Sequence, residues 1–252
     1  MKKIALVTGA TSGIGKAVAV DLAIRGFRLI LTGRREDRLT ELANDLKLNY
    51  EADVLSLCFD IRDRAVVEET IASLPDNWKS IDVLINNAGL AAGLNLFDES
   101  DIDDWEQMID TNVKGLLYIS RAVSPIMVAA KKGHILNISS IAGHQVYERG
   151  HVYCATKHAV EAITQGLRID LLKHGIKVSA VAPGMVETEF SIVRFKGDEQ
   201  KAKDFYKGLI PLSADDVADA VGYIISRPAH VCINEMMIMP TAQASAYYNY
   251  RS

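Results

Sequence analysis

The sequence has few of the residues that place a protein in a special structural class. Its 252 residues include three cysteines, six prolines and 7% aromatic residues. Cys58, Cys154 and Cys232 are too few and too scattered for a disulfide framework, and such cysteines are typical of a reducing compartment. No stretch rich in proline or serine divides the chain. We therefore expect a single domain and a cytoplasmic location.

An excess of charge and long apolar runs are also absent. The chain has 28 Lys and Arg against 32 Asp and Glu, a formal net charge of -4, so neither nucleic acid nor an anionic membrane is an expected partner. The apolar run at residues 4–7 stops at Thr8-Gly9, which is too short for a secretory signal. No stretch approaches the roughly 18 apolar residues of a transmembrane helix. These features favour a soluble protein.

The remaining composition favours a large buried core, because 49% of the residues are hydrophobic. Short apolar runs predict strands at residues 4–7, 28–31, 54–58, 83–85, 134–138 and 177–181. Amphipathic segments predict helices near 13–25, 36–47, 63–74, 101–130, 152–173 and 214–226. This alternation predicts one α/β domain over residues 1–252, with a doubly wound, mostly parallel sheet of the Rossmann type.

One segment departs from this alternation. Residues 186–212 are charged and weakly periodic, and they follow the sixth predicted strand. Because ligands bind at the carboxyl ends of parallel strands, we expect this segment to form a flap over a substrate.

The turn after the first strand is rich in glycine. It reads Thr8-Gly9-Ala10-Thr11-Ser12-Gly13-Ile14-Gly15, and a helical pattern begins at once. Glycines let backbone N–H groups approach a ligand closely, and a helix N-terminus attracts a pyrophosphate. The spacing differs from G-x-G-x-x-G, and a purely structural turn is the alternative. The order of strand, turn and helix favours nucleotide binding.

Basic residues follow the second strand. Arg34 and Arg35 stand where NAD-specific folds of this type have an acidic residue against the ribose hydroxyls, and Arg38 lies one turn further on. An arginine fork suits a ribose 2′-phosphate. The alternative is a solvated helix start neutralised by Glu36 and Asp37, although arginine is unfavourable near a helix N-terminus. The pattern favours NADP over NAD.

A tyrosine and a lysine share one face of a predicted helix. Tyr153 and Lys157 are four residues apart, so the ammonium can lie near the phenol. A nearby cation lowers the pKa of a tyrosine, which is ordinarily about 10. Such pairs also arise by chance, but this one follows the strand that ends at Asn137-Ile138-Ser139-Ser140, where ligands are expected. We therefore predict proton transfer at Tyr153.

These motifs together resemble those of the short-chain dehydrogenase/reductase family. The resemblance rests on the glycine turn and on Asn86-Asn87-Ala88-Gly89, Asn137-Ile138-Ser139-Ser140, Tyr153-Cys154-Ala155-Thr156-Lys157 and Pro183-Gly184, and it covers essentially the whole chain. It implies that Tyr153 is the catalytic acid/base and that Ser140 holds the reacting oxygen. It also implies that Lys157 binds the nicotinamide ribose and that Asn112 belongs to a proton relay.

The resemblance implies the cofactor contacts as well. Asp60 and Ile61 resemble the adenine contact, although Asp60 can also be a turn aspartate that caps the next helix. The whole predicted NADP site is Gly9, Thr11, Ser12, Gly13, Ile14, Gly15, Arg34, Arg35, Arg38, Asp60, Ile61, Asn87, Ala88, Gly89, Tyr153, Lys157, Pro183, Gly184, Val186 and Thr188.

A narrower resemblance is to the family's branch of NADP-dependent 3-hydroxy acid dehydrogenases, which oxidise serine, allo-threonine and related acids. It rests on Ser73-Leu74-Pro75, Trp78, Asn87-Ala88-Gly89-Leu90, Asp104-Trp105, Met108-Ile109-Asp110-Thr111-Asn112 and Val193-Arg194-Phe195-Lys196-Gly197-Asp198. Glu148 and Arg149 depart from the branch, because small residues are expected there.

The resemblance implies hydride transfer between NADP and a small 3-hydroxy acid, with Ser140 and Tyr153 on the substrate oxygen. The substrate carboxylate needs a cation, and Arg149, Arg194 and Lys196 are near the expected site. We predict Arg194 as this partner; the alternative is a solvated charge on a mobile loop.

Two other functions are compatible with these residues. A reductase of another ketone, aldehyde or sugar would use Asn112, Ser140, Tyr153 and Lys157 with a different substrate pocket. A non-catalytic NADP-sensing protein would keep the glycine turn without needing Ser140, Tyr153 and Lys157. The six histidines show no paired ligand spacing, so no metal is expected. The family's habit implies a homotetramer built partly through the helices at 101–130 and 152–173.

Overall fold

Seven parallel strands form the centre of the molecule, and the structure, a computed structural model, describes residues 2–252. The strands are Ile4–Val7 (β1), Arg28–Gly33 (β2), Val54–Cys58 (β3), Ile81–Asn86 (β4), Gly133–Ile138 (β5), Ile176–Pro183 (β6) and Glu235–Ile238 (β7). Their order in the sheet is β3-β2-β1-β4-β5-β6-β7, and all neighbours are parallel. The predicted doubly wound parallel sheet is confirmed.

Helices connect the strands and cover both faces of the sheet. They are Gly13–Ile24 (α1), Glu36–Tyr50 (α2), Arg64–Ala72 (α3), Ile102–Ile109 (α4), Leu116–Ala130 (α5), His151–Leu171 (α6), Glu189–Arg194 (α7), Glu199–Asp204 (α8) and Ala214–Ile225 (α9). The last of them begins at a capping box in which Ser213 and Asp216 bond each other's backbone N–H groups. The predicted N-terminus of this helix is therefore correct.

The strands are apolar throughout because helices pack on both of their faces. Along β1, Ala5 and Val7 belong to the core under α1, α2 and α9, whereas Ile4 and Leu6 belong to the core under α3, α5 and α6. Burying one Leu or Ile side chain contributes about 1.5–3 kcal/mol, so this alternation holds both helix layers against the sheet.

The helix predicted at 101–130 is interrupted in its middle. A π-helical turn at Asp110–Gly115 joins α4 to α5. An 18-residue window within Ile102–Ala130 has a mean hydropathy of 1.3, enough by length and composition alone to cross a membrane. The sequence contains no continuous apolar run of this length. The window still reaches this mean hydropathy because an average tolerates the polar residues that interrupt an apolar run. In the structure Ile119, Val123 and Met127 of this segment pack in the core against the sheet.

The seventh strand was not predicted. β7 has four residues, of which the first and third are exposed, and it pairs with β6 at the edge of the sheet. A short edge strand that is covered on one face lacks the continuous apolar run from which the other strands were identified.

Residues 186–212 form an excursion from the sheet. The segment begins and ends at a bridge between Val186 and Leu212, and it contains the two six-residue helices α7 and α8. Because its two ends are joined, a change in the shape of this segment need not alter the sheet.

Candidate active site

A cavity of about 710 Å³ opens at the carboxyl ends of the strands. Most of the predicted site residues line it, namely Gly9, Thr11, Ser12, Gly13, Ile14, Arg34, Arg35, Asp60, Ile61, Asn87, Ala88, Gly89, Ser140, Tyr153, Lys157, Pro183, Gly184, Val186, Thr188 and Arg194. Gly15, Arg38 and Asn112 are predicted site residues that do not line it. The structure therefore brings the predicted nucleotide and substrate residues into one pocket.

The glycine turn after β1 permits a close approach to the backbone. Gly9 has a φ of 65°, and a Cβ at this position would lie 2.9 Å from the Cα of Ala88. A Cβ on Gly15 would collide with the carbonyl oxygen of Gly9. A larger residue at either position would push α1 or the turn after β4 out of place.

Helix α1 begins beside the cavity with its first N–H groups uncapped. Among the described residues, the N-cap Ser12 makes no capping hydrogen bond, and its hydroxyl instead accepts one from Arg35 at 2.8 Å. Uncapped N–H groups and the positive end of the helix dipole suit a pyrophosphate. These residues therefore fit a dinucleotide.

Arg35 and Arg38 share one carboxylate. Arg35 donates to Thr11 Oγ1 at 2.8 Å and lies 3.0 Å from a Glu189 oxygen, and Arg38 lies 2.5 Å from the other oxygen. The Glu189 carboxyl has a lowered pKa because hydrogen bonds from these arginines outweigh the effect of its partial burial. Two guanidinium groups thus hold one anionic group here, and the hydroxyls of Thr11 and Ser12 accept from Arg35.

Arg34 occupies the other side of this part of the cavity. It lies 3.8 Å from Asp60, whose carboxylate accepts much closer bonds from Arg62, the shortest at 2.6 Å. Hydrogen bonds from Arg62 lower the pKa of Asp60. The helix that follows is capped by Asp63 instead, so Asp60 is a turn aspartate that still faces the cavity.

The turn after β4 is tied to the end of β1. The Thr8 hydroxyl accepts from the N–H groups of Asn87 and Ala88, both at 3.0 Å. The Asn87 amide donates to the carbonyls of Thr8 and Gly9 at 2.9 and 3.1 Å. Asn87 therefore contributes its side chain to the glycine turn and leaves the backbone of residues 87–89 to line the cavity.

Tyr153 and Lys157 lie on one face of α6 and are both buried. The ammonium of Lys157 lies 5.9 Å from the centre of the Tyr153 ring and donates to the carbonyl of Ile138 at 2.9 Å. Ser140 stands at the end of β5, where its hydroxyl accepts from the N–H of Ala142 at 3.1 Å. Ser139, the residue before it, is also buried beside the cavity.

Burial controls the protonation of this pair. Burial raises the pKa of Tyr153, and the neighbouring Tyr147 raises it further, whereas Arg194 and the Ser140 hydroxyl lower it. Burial lowers the pKa of Lys157 to about 8, and the charge of Glu161 acts in the opposite direction. A positive charge added to this pocket would therefore help Tyr153 to lose its proton.

Asn112 lies in the π-helical turn. Its side chain bonds both backbone groups of Leu90 at 2.8 Å and donates to the hydroxyl of Thr156 at 3.1 Å. The π-turn thereby joins the segment after β4 to the helix that carries Tyr153. Single π-turns are common at functional sites.

The chain after β6 forms a further wall of the cavity. Gly184 has no room for a side chain because a Cβ would collide with the amide oxygen of Gln243. That oxygen accepts from the N–H of Met185 at 2.8 Å. Thr188 caps α7 by accepting from Phe190 N, so this wall leads directly into residues 186–212.

Arg194 at the end of α7 reaches the substrate side of the cavity. It is 6% exposed, its guanidinium carbon lies 4.9 Å from the centre of the Tyr153 ring, and it donates to the Tyr147 hydroxyl at 2.8 Å. Within residues 2–252 it forms no ion pair, and its buried Nε has no hydrogen-bond partner. The other candidates differ: Lys196 pairs with Asp104 at 2.9 Å, and Arg149 is exposed.

Three residues of the cavity were missed in the sequence. Glu189 is 154 residues from Arg35, so no local pattern links them. Tyr147 lies in the loop expected near the substrate, but nothing in the sequence distinguished it from its neighbours. Gln243 follows the strand that was not predicted. Each of the three required the fold to be known.

The fold and this pocket define a class, the dinucleotide-binding oxidoreductases. Residues 3–199 match the family model described as short chain dehydrogenase. Over 247 residues the chain is 46% identical to the NADP-dependent 3-hydroxy acid dehydrogenase YdfG of Escherichia coli strain K12, covering 98% of both chains. It is 44% identical over 245 residues to sulfoacetaldehyde reductase 2 of Chromohalobacter salexigens, covering 97% of this chain and 96% of the relative.

A solved structure is similar over the whole chain. It is the closed form of a serine dehydrogenase complexed with NADP+, with a TM-score of 0.92, 45% identity and 99% of both chains covered. This protein belongs to the short-chain dehydrogenase family. The family prediction from the sequence is confirmed.

Proposed function

We propose that this protein transfers a hydride between NADP and a small 3-hydroxy acid such as serine, allo-threonine or 3-hydroxypropionate. The observation that carries the proposal is Arg194, a buried guanidinium that pairs with no carboxylate of residues 2–252 and lies beside Tyr153. A buried unpaired cation is costly, and a substrate carboxylate would supply its partner. The names of the related 3-hydroxy acid dehydrogenase and serine dehydrogenase support this substrate class.

The cofactor side of the cavity has the chemistry that NADP requires. The N-terminus of α1 would hold the pyrophosphate, and Arg34, Arg35 and Arg38 would surround the 2′-phosphate. Bound NADP+ would accept the hydride from the substrate carbon and would add positive charge near Tyr153. The remaining chemistry, orientation and proton transfer, belongs to residues of this chain.

Ser140 and Tyr153 would hold the substrate oxygen between their hydroxyls. In oxidation, the phenolate of Tyr153 would take the hydroxyl proton while the carbon loses hydride. Lys157 would favour the phenolate through its charge and would bind the nicotinamide ribose. Asn112 would support the proton relay by holding the segment after β4 against α6.

The substrate would lie under residues 186–212, which act as a flap. Phe190 and Arg194 of α7 both contact the Tyr153 ring, at 5.7 and 4.9 Å from its centre. A similar serine dehydrogenase has a closed form with NADP+, which supports movement of this segment. The arginine would bind the carboxylate only once the flap has closed, so an acid and a neutral alcohol would be distinguished at that step.

A reductase of another anionic carbonyl compound is the second candidate. The relative named sulfoacetaldehyde reductase supports it, because a sulfonate would satisfy Arg194 as a carboxylate does. A non-catalytic NADP sensor is less well supported, since Ser140, Tyr153 and Lys157 are all present in one pocket.

The test is a substrate panel followed by reduced-nicotinamide absorbance, with NADP and NAD compared at two salt concentrations. The panel pairs each 3-hydroxy acid with its sulfonate and with a neutral alcohol of the same size. We expect NADP-dependent turnover of the acids. Turnover of sulfonates alone would support the second candidate, and the absence of turnover with every substrate would contradict catalysis.

The variant Arg194→Met tests whether this residue binds the carboxylate, by comparing the KM for the acid with the KM for the matched alcohol. A charge-assisted bond contributes about 1.5–3 kcal/mol, so the KM for the acid should rise about 10- to 100-fold while the KM for the matched alcohol changes little. Arg149→Met is the control, because Arg149 is exposed and should leave both values unchanged. Equal effects of Arg194→Met on acid and alcohol would exclude the carboxylate contact.

We also propose a cytoplasmic homotetramer. Ile109, Leu117 and Ile169 are exposed apolar side chains on the helical segments 102–130 and 151–171, and they support contacts between copies. The three free cysteines support a reducing compartment. Sedimentation equilibrium should give four chains per particle and a smaller particle for Ile169→Glu, and cell fractionation tests the compartment.

A further inference from the structure

Three side chains of the metal-ligating type meet outside the cavity. His144 follows the short helical turn Ile141–Gly143, Glu161 lies on α6, and Glu235 is the first residue of β7. The His144 Nε2 lies 2.9 Å from a Glu235 oxygen and 3.4 Å from a Glu161 oxygen. One ligand atom of each residue lies within 4.8 Å of the other two. None of the three lines the cavity described above.

Glu161 has a carboxylate oxygen without a hydrogen-bond partner in this cluster. The residue is 7% exposed, and its Oε1 is buried without a hydrogen bond from any described residue, although it faces His144. Gly143 lies close to this side chain: a Cβ there would lie 3.1 Å from the Cγ of Glu161. A buried carboxylate oxygen without a donor is costly, so the position favours a bound cation.

The separations fit one small metal ion. Ligand atoms that lie about 2.0–2.1 Å from a tetrahedral ion are roughly 3.3 Å apart, and the two measured separations are 2.9 and 3.4 Å. One imidazole with two carboxylates suits Zn²⁺ and its first-row neighbours, whereas Mg²⁺ and Ca²⁺ prefer oxygen ligands alone. A fourth position would remain for water.

We propose that His144, Glu161 and Glu235 form a binding site for a divalent first-row transition metal, represented by Zn²⁺. The ion would tie the turn after β5 and helix α6 to β7, the short strand at the edge of the sheet. Its effect would be on stability, since no ligand of the site touches the cavity.

The test uses the full-length protein after removal of metals by a chelator. Calorimetric titration with Zn²⁺ should give one site per chain, and Co²⁺ should give visible absorption bands of a protein-bound ion. His144→Ala and Glu161→Gln should each weaken Zn²⁺ binding about tenfold or more, whereas His230→Ala, a change at an exposed histidine, should not. Zn²⁺ should raise the melting temperature of the wild type and of His230→Ala only.

Glu161→Gln preserves the shape of the side chain and keeps the test decisive if His144→Ala does not fold. Binding of Zn²⁺ that is unchanged in Glu161→Gln would overturn the proposal, as would the absence of a stoichiometric site in the wild type. In the second case the cluster would be a histidine in contact with two carboxylates and no metal ion. The cofactor and substrate assays are independent of this outcome.

Discussion

The side of the cavity at the glycine turn, which we propose for the cofactor, is held by the sheet. The side at Arg194, which we propose for the substrate, is bounded by residues 186–212 and the C-terminal segment. On the cofactor side, backbone bonds and the Asn87 amide fasten the glycine turn to the ends of β1 and β4. On the substrate side, Arg251 of the C-terminal segment donates to the carbonyls of Phe205 and Lys207, which follow the six-residue helix α8. This difference implies that sequence changes in residues 186–212 can alter which substrate binds without altering the proposed cofactor site.

One short helix connects the two sides. At its start Glu189 contacts Arg35 and Arg38, and at its end Arg194 lies over Tyr153. The position of α7 is therefore set partly by the cofactor arginines. Variants on either side, and at this connection, test how independent the two sides are.

Tyr153→Phe should have the largest effect, because it removes the hydroxyl that we propose as the proton acceptor and leaves the ring in place. We expect turnover to fall by about 10²- to 10⁴-fold while the dissociation constant of NADP stays nearly constant. Fluorescence titration and steady-state rates measure both quantities. Tyr223→Phe, remote from the cavity, is the control. A Tyr153→Phe enzyme with most of its activity would remove this residue from the mechanism.

The pH profile sharpens this prediction. Because burial raises the pKa of Tyr153, its phenol is neutral at pH 7 before the cofactor adds positive charge. The rate of oxidation should rise with pH as phenolate forms, and the rise should disappear in Tyr153→Phe. A rise that persists in the variant would assign the titration to another group.

Lys157→Met should lower activity and raise the free energy of unfolding. The pKa of the buried ammonium is about 8 in the folded chain and 10.5 ordinarily, so the unfolded chain binds more protons between these values. Stability of the cofactor-free wild type should therefore rise with pH from about 8 to 10.5. At pH 7 the variant should be more stable by about 1–2 kcal/mol, after the lost bond to Ile138 is subtracted.

Urea unfolding from pH 7 to 10 measures this effect. The difference between wild type and Lys157→Met should shrink as the pH rises. Lys47→Met, at an exposed lysine, should run parallel to the wild type at every pH. A constant difference would show that the ammonium is not destabilised by burial.

Glu189→Gln should have the smallest effect, at the connection between the two sides. It removes a carboxylate from partly exposed ion pairs, each contributing about 0.2–1 kcal/mol, so the affinity for NADP should rise about two- to tenfold. The affinity for NAD should change little, and the KM of the acid should rise because α7 loses an anchor. Binding of NADP and NAD by titration, with Glu187→Gln as the exposed control, gives the answer. Weaker NADP binding would mean that Glu189 orients the arginines for the phosphate.

Most of the residues that line the cavity near the glycine turn could be predicted because their motifs are local in the chain. The glycine turn, the arginines after β2 and the Tyr153–Lys157 pair each lie within one turn or one helix, where spacing sets geometry. The strands covered on both faces were predicted for the same reason, since their apolar runs are continuous. β7 and the π-turn at Asp110–Gly115 were not, because one is a half-exposed edge and the other alters hydrogen bonding without altering the apolar pattern.

The order of strands and helices and the family could be read from the sequence alone, as could the residues proposed to bind the cofactor. The burial of Arg194 beside Tyr153, in contrast to the exposed Arg149 and the paired Lys196, became evident only from the packing of the chain. The same holds for the contacts of Glu189 with arginines some 150 residues away and for the meeting of His144, Glu161 and Glu235. The physical reason is that burial and ion pairing depend on which segments pack together, and no local spacing along the chain records those distances.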